Sequence, residues 1–245
     1  MPARPFRPHA AGRHDQRGAA LLILLTVMVL AASALLLAAL GRGNTEAARQ
    51  ARTVVALAQA REALIGYALR HGRLPRPARS ATEGDENPLP CVSEQMCTGY
   101  LPWTALGVGA TDAWGKLLRY SVTPAFTVAP LHAETAVASK FVQGRSGAGL
   151  VDLAGQPVCT LQRQCVPAVI LSTGRDNFGT STLGLEQANG ASGNLDEQAN
   201  AASSRGFVRR AASDAQGAGG PYDDLLDWVP LQLLLFRMGV AGALP

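Results

Sequence analysis

The residues whose types could do chemistry are few: four cysteines, four histidines, some serines beside glycines, and scattered carboxylates. Cys91 and Cys97 are six apart, as are Cys159 and Cys165. An even count in two short loops reads as two disulfides if the compartment permits oxidation. Four cysteines allow three connectivities, and the local pairs, Cys91 with Cys97 and Cys159 with Cys165, are preferred because closing a short loop costs little chain entropy. A zinc ion held by all four thiolates is the alternative, but the usual spacings of about two to four residues are missing.

No catalytic constellation stands out. His9 and His14 lie near the N-terminus, while His71 and His132 are isolated, with no Gly-x-Ser-x-Gly or His-Glu-x-x-His pattern. Ser146 and Ser172 have glycines nearby but no recognisable base. The expectation is therefore that the chain is not an enzyme. A periplasmic hydrolase would have to be built on Ser172 or on His71.

The elements that would position these residues begin with an apolar run from Ala19 to Leu40, in which only Thr26 and Ser33 carry hydroxyls. As a helix, rising about 1.5 Å per residue, it matches the roughly 30 Å hydrocarbon core of a bilayer. Arg4, Arg7, Arg13 and Arg17 precede it with only Asp15 in opposition, which places the N-terminus in the cytoplasm and sends the remainder across. Four of the 22 basic residues and one of the 18 acidic ones lie in that leader, leaving 18 against 17 in the rest. The basic balance is thus a targeting feature, and composition gives no support to a nucleic-acid partner.

Arg17-Gly18 followed by Ala19-Ala20-Leu21-Leu22-Ile23-Leu24-Leu25 resembles the class III signal of type IV pilins and of the pseudopilins of type II secretion. The resemblance implies cleavage between Gly18 and Ala19 by the prepilin peptidase and N-methylation of Ala19. It also implies a single pass through the inner membrane, with a periplasmic C-terminal domain that joins other pilin or pseudopilin subunits in a fibre. Major pilins carry Glu at the fifth mature position, where this chain has Ile23. A carboxylate in lipid is costly unless paired, so its absence removes one assembly contact and points to a minor subunit. Some minor pilins bind DNA, so the resemblance leaves that role open. Two rival readings remain: a permanent signal anchor carrying a periplasmic binding or scaffold domain, and a cleaved secretory signal with its cut near Ala31-Ala32-Ser33-Ala34.

Three regions follow: a leader over 1–18, a membrane or fibre-core helix over 19–40, and a periplasmic domain over 41–245. Gly41-Arg42-Gly43 is expected to interrupt the helix and Asn44 to start another. Val54, Leu57, Ala58, Leu64, Ile65 and Ala68 then recur at helical spacing to about Arg70, with Arg61 near the stripe's edge. Prolines between His71 and Pro102 mark a loop stapled by its cysteines. Asp112-Ala113-Trp114-Gly115-Lys116-Leu117-Leu118-Arg119-Tyr120 resembles the Asp-x-Trp-Gly-x-x-x-x-Tyr signature of the major pseudopilin and its relatives, a turn leading into a strand. Trp103 and Trp114 are expected to pack in the core. Further strands are expected over 138–143, 149–153 and 166–172, and a short apolar helix or strand over 231–238. The stretch 178–220 has little to bury apart from Phe207 and Val208, and is expected to be mostly mobile, with one short strand around Phe207. The fold class is α+β and pilin-like, a long N-terminal helix packed on an antiparallel β-sheet.

The same resemblance raises calcium. Leu171-Ser172-Thr173-Gly174-Arg175-Asp176 and Tyr222-Asp223-Asp224-Leu225 are similar to two parts of the major pseudopilin's calcium loop. They imply Asp176, Asp223 and Asp224 as ligands of a hard cation that takes about six to eight oxygens. On the bland account, Asp223 caps the segment after it and Asp224 is solvated.

Overall fold

The computed structural model describes residues 17–214 and 217–245, with side chains described except at 17–20 and 35–44. The chain divides into two compact units, Met1–Ala47 and Ala48–Pro245. Helix α1 (Arg17–His71) runs through both ranges. It continues through Gly41-Arg42-Gly43, where an interruption is expected, because a glycine costs a helix only about 1 kcal/mol.

In the first unit the large apolar residues from Leu21 to Leu30 are 50 to 69% exposed on every side of the helix. The hydroxyls of Thr26 and Ser33 turn back on their own backbone, Thr26 donating to the Ile23 carbonyl at 2.9 Å and Ser33 to that of Val29 at 2.8 Å. Among the described residues no helix is long and apolar enough to cross a membrane. Of the expected membrane segment, Ala19, Ala20 and 35–40 lie outside the residues whose side chains are described, as does Gly18 of the expected processing site. Residues 1–16 of the expected leader lie outside the described residues.

The second unit is α+β. After α1 come β1 (Thr98–Tyr100), α2 (Trp103–Leu106), β2 (Arg119–Val122), β3 (Phe141–Ser146), β4 (Gly149–Ala154), β5 (Ala168–Ser172), α3 (Leu195–Ala202), β6 (Gly206–Val208), β7 (Leu225–Val229) and α4 (Leu231–Val240). A four-stranded sheet of order β1-β2-β5-β7 is antiparallel throughout. A second sheet of order β4-β3-β6 pairs β3 with β6 in parallel, so the connections are not all hairpins.

Strand β5 is buried at all five positions, which explains its uninterrupted apolar run. On one face Ala168 and Ile170 join Leu57, Ala60, Leu64, Ile65 and Ala68 of α1, Leu118 and Tyr120 around β2, and Leu231, Leu234 and Met238 of α4 in the main core. On the other, Val169 and Leu171 meet Val142 and Phe207 of the second sheet. Arg61 reaches the stripe's edge as expected, pairing with Asp227 of β7 at 3.0 Å. Trp103 and Trp114 are only half-buried, outside the fully buried core.

The stretch 178–220, expected to be mostly mobile, instead carries α3, while β6 falls on the short strand expected around Phe207. It is organised by buried polar side chains, which an apolar count overlooks. Asp196 accepts from Arg145 at 2.9 and 2.5 Å and from Arg210 at 2.8 Å. Asn200 donates to the Val208 carbonyl at 2.9 Å and accepts from the Val208 amide at 2.7 Å, tying α3 to β6.

Candidate functional site

Two disulfides close, Cys91 with Cys97 and Cys159 with Cys165, and no free cysteine remains. Both are the local pairs that loop entropy favours. Cys91, Cys97 and Cys165 are buried, while Cys159 is partly open to solvent.

The Asp-x-Trp-Gly turn is built around the buried carboxylate of Asp112. Its Oδ1 accepts from the amides of Trp114 at 2.9 Å and Lys116 at 3.0 Å, an Asx turn that Gly115 completes at a φ of 83°. Its Oδ2 accepts from Ser172 Oγ at 2.6 Å at the end of β5, and Ser172 Oγ accepts from the Gly174 amide at 3.1 Å. The hydroxyl of Thr53 on α1 accepts from the Ala113 amide at 3.1 Å. The two segments singled out in the sequence therefore meet through the Asp112–Ser172 hydrogen bond, beside the pairing of β2 with β5. Ser172 is fully buried, and His71 stacks on Tyr67 with ring centroids 4.0 Å apart.

Beyond Ser172 the chain folds over Lys116. The Lys116 ammonium donates to the backbone carbonyls of Asp176 at 3.1 Å and Asn177 at 3.0 Å. To present them, Asn177 and Phe178 take φ values of 44° and 47°, a left-handed conformation rare outside glycine. Asn177 Oδ1 accepts from the amides of Gly190 and Ala191, which holds that shape. At Gly179 a Cβ would lie 2.6 Å from Lys116 Cδ and from Thr173 Oγ1, so only glycine lets the lysine stem pass.

Beside the ammonium lies an acidic cluster. Carboxylate oxygens of Glu197, Asp223 and Asp224 all fall within 4.8 Å of one another. Glu197 Oε2 accepts from Asn177 at 3.0 Å and Asn194 at 2.7 Å, and its Oε1 from the Asp223 amide at 2.8 Å. Asp223 Oδ2 accepts from the amides of Arg175 at 2.9 Å and Asp176 at 2.8 Å, whereas its buried Oδ1 has no partner. Asp224 Oδ2 accepts from Asn200 at 2.8 Å. Burial, with Glu197 and Asp176 nearby, pushes the Asp223 carboxyl up to about 7. Burial, with Glu197 and Asp223 beside it, pushes Asp224 well above the carboxylate range. Burial lowers Lys116, against the pull of Asp223, Asp112, Asp176 and Asp224. The cluster borders an open pocket of about 380 Å³ lined also by Asp176 and Asp214.

Asp223 and Asp224 thus come together as the resemblance implies, but the third carboxylate is that of Glu197. Asp176 contributes its backbone, and its side chain turns to Arg175, whose hydrogen bonds hold it below the usual carboxylate range. The bland account is corrected at both positions: Asp224 is 3% exposed, and Asp223 receives amides from the 175–176 turn rather than capping the segment after it. Lys116, Glu197 and the asparagines escape sequence reasoning, although Asn194 at the start of α3 and Glu197 and Asn200 within it recur every three residues.

These residues do not fit a calcium ion. The loop carbonyls that would complete six or more oxygen ligands are held by the Lys116 ammonium. The Asp176 carboxylate is turned away, and Glu197 has N–H donors on both oxygens. Within the cluster, the buried oxygen without a partner is Asp223 Oδ1. Compared with family models, curated proteins and solved structures, the chain matches none.

Proposed function

We propose that this chain is a minor pilin or pseudopilin, a structural subunit processed after Gly18 and assembled through its N-terminal helix into a type IV pilus or a type II secretion-like fibre. The observation that carries the proposal is the surface of α1 from Leu21 to Leu30, apolar on every side and exposed. A helix apolar all round belongs in lipid or among other helices. Thr26 and Ser33 satisfy their hydroxyls internally, as lipid requires. Further support comes from the later part of α1 packing on an antiparallel sheet, and from Asp112 and Ser172 joining the two segments that resemble the pseudopilin pattern.

On this reading the helix is stored in the inner membrane and then transferred among like helices in the fibre, while the second unit meets neighbouring subunits. Replacing Gly18 with valine tests it in the native host. The expected outcome is loss of cleavage by the prepilin peptidase and loss of the subunit from the fibre fraction. Unchanged maturation and placement would favour a permanent anchor bearing a binding or scaffold domain.

A further inference from the structure

We infer that Lys116 is the resident cation of the loop over 173–179, its ammonium standing where a divalent ion would otherwise gather the loop's oxygens, so that the site is built to close without metal. The geometry concerns the second unit alone and holds whether or not the chain enters a fibre.

Lysine occurs at only two positions in a chain otherwise supplied with arginine, Lys116 and Lys140, and both are buried. Each directs its ammonium at backbone carbonyl, Lys140 at Ser204 and Lys116 at Asp176 and Asn177, but Lys140 is also paired with the Glu94 carboxylate. An ammonium is a compact point charge with three donors, and it suits convergent carbonyls as a metal ion does. A planar guanidinium does not. The loop is shaped to the lysine in three places. Asn177 and Phe178 take left-handed backbone where the chain presents the Asp176 and Asn177 carbonyls, and Gly179 leaves room for the stem. Gly174 admits the Asp223 side chain, which a Cβ there would strike. Asp223 is the acid whose charge acts most on Lys116, ahead of Asp112, Asp176 and Asp224. A divalent ion at the same carbonyls would have to displace the ammonium and leave it buried.

The test uses the full-length protein in detergent, melted in excess chelator and again in calcium, beside Lys116→Met, which keeps an apolar stem and drops the charge. The expected result is a wild-type melting temperature that calcium does not move, and a variant that melts lower in chelator and recovers when calcium is added. An ion at a hundredfold excess over its dissociation constant raises the melting temperature of a chain this size by about 5–10 °C. A wild-type rise of that order overturns the inference. So does a folded variant that melts like wild type in chelator and ignores calcium. Should the variant not fold, the wild type decides. With two lysines, 15N spectra resolve the Lys116 ammonium, and slow proton exchange in chelator, unchanged by calcium, is the expected result. Exchange as fast as that of a solvated lysine would overturn the inference.

Discussion

A single carboxylate, that of Glu86, gathers five hydrogen bonds. Its Oε1 accepts from Arg73 at 2.5 Å and from the Nε and amide of Arg76, both at 2.9 Å, while its Oε2 accepts from Tyr67 at 2.6 Å. Burial pushes this carboxyl up, but the hydrogen bonds from Arg73, Tyr67 and Arg76 outweigh it and leave it at about 2. A carboxyl held below its ordinary 4.5 stabilises the fold fully above that value, and the contribution fades as pH falls through about 2. Glu86→Gln should cost about 3 kcal/mol at neutral pH, because two arginines lose their acceptor. Urea titrations from pH 7 down to pH 2 should show the gap between wild type and variant closing. A gap that stays constant would mean that the charge of Glu86 is not what matters. In the sequence Glu86 is one acid among Glu83, Asp85 and Glu86, and nothing local separates it from its exposed neighbours. The cradle is made by Tyr67 and Arg73, brought back by the end of α1, so its role becomes visible only in three dimensions.

The elements were legible where burial is apolar. The stripe on the later part of α1, the run in β5 and the two cysteine loops announce themselves by period or spacing, and β3 and β4 fall close to the expected strands. Helix α3 shows where this fails, since its buried residues are Asp196, Glu197 and Asn200, and hydropathy counts all three as solvent-facing. Their burial is offset by hydrogen bonds: Asp196 to Arg145 and Arg210, Glu197 to Asn177 and Asn194, and Asn200 to β6 and Asp224. Asn200→Ala should accordingly cost about 2–4 kcal/mol in a urea titration, the loss of its partners at the Val208 backbone and Asp224. A cost within the range of a neutral surface change would show the 178–220 stretch to be as loose as its composition suggests. The disulfides should also separate. Each closes a loop of the same length and so contributes a similar chain-entropy term of about 2 kcal/mol, but Cys159 is the partly exposed sulfur and Cys91 and Cys97 sit in the main core. Graded reduction followed by alkylation and mass mapping should label Cys159 and Cys165 first, as thiol attack requires access. Labelling of Cys91 and Cys97 first would contradict the assigned burial.

For the molecule as a whole, the second unit buries its apolar residues on both faces of β5, whereas the first leaves Leu21 to Leu30 uncovered. That contrast is already written in the sequence, as a basic leader and an uncharged run beginning after Gly18. The candidate site was legible only in part: Asp223 and Asp224 could be found by resemblance, but the cation facing them could not, because Lys116 lies far from them in the chain. The central claim, that this helix is an assembly helix, is tested most directly by the N-terminal mass of the protein recovered from its own host's membranes, with and without the prepilin peptidase. The account predicts an N-methylated Ala19 in the presence of the peptidase and an uncut leader in its absence. A leader retained in both strains, or a cut near Ala34, would contradict it.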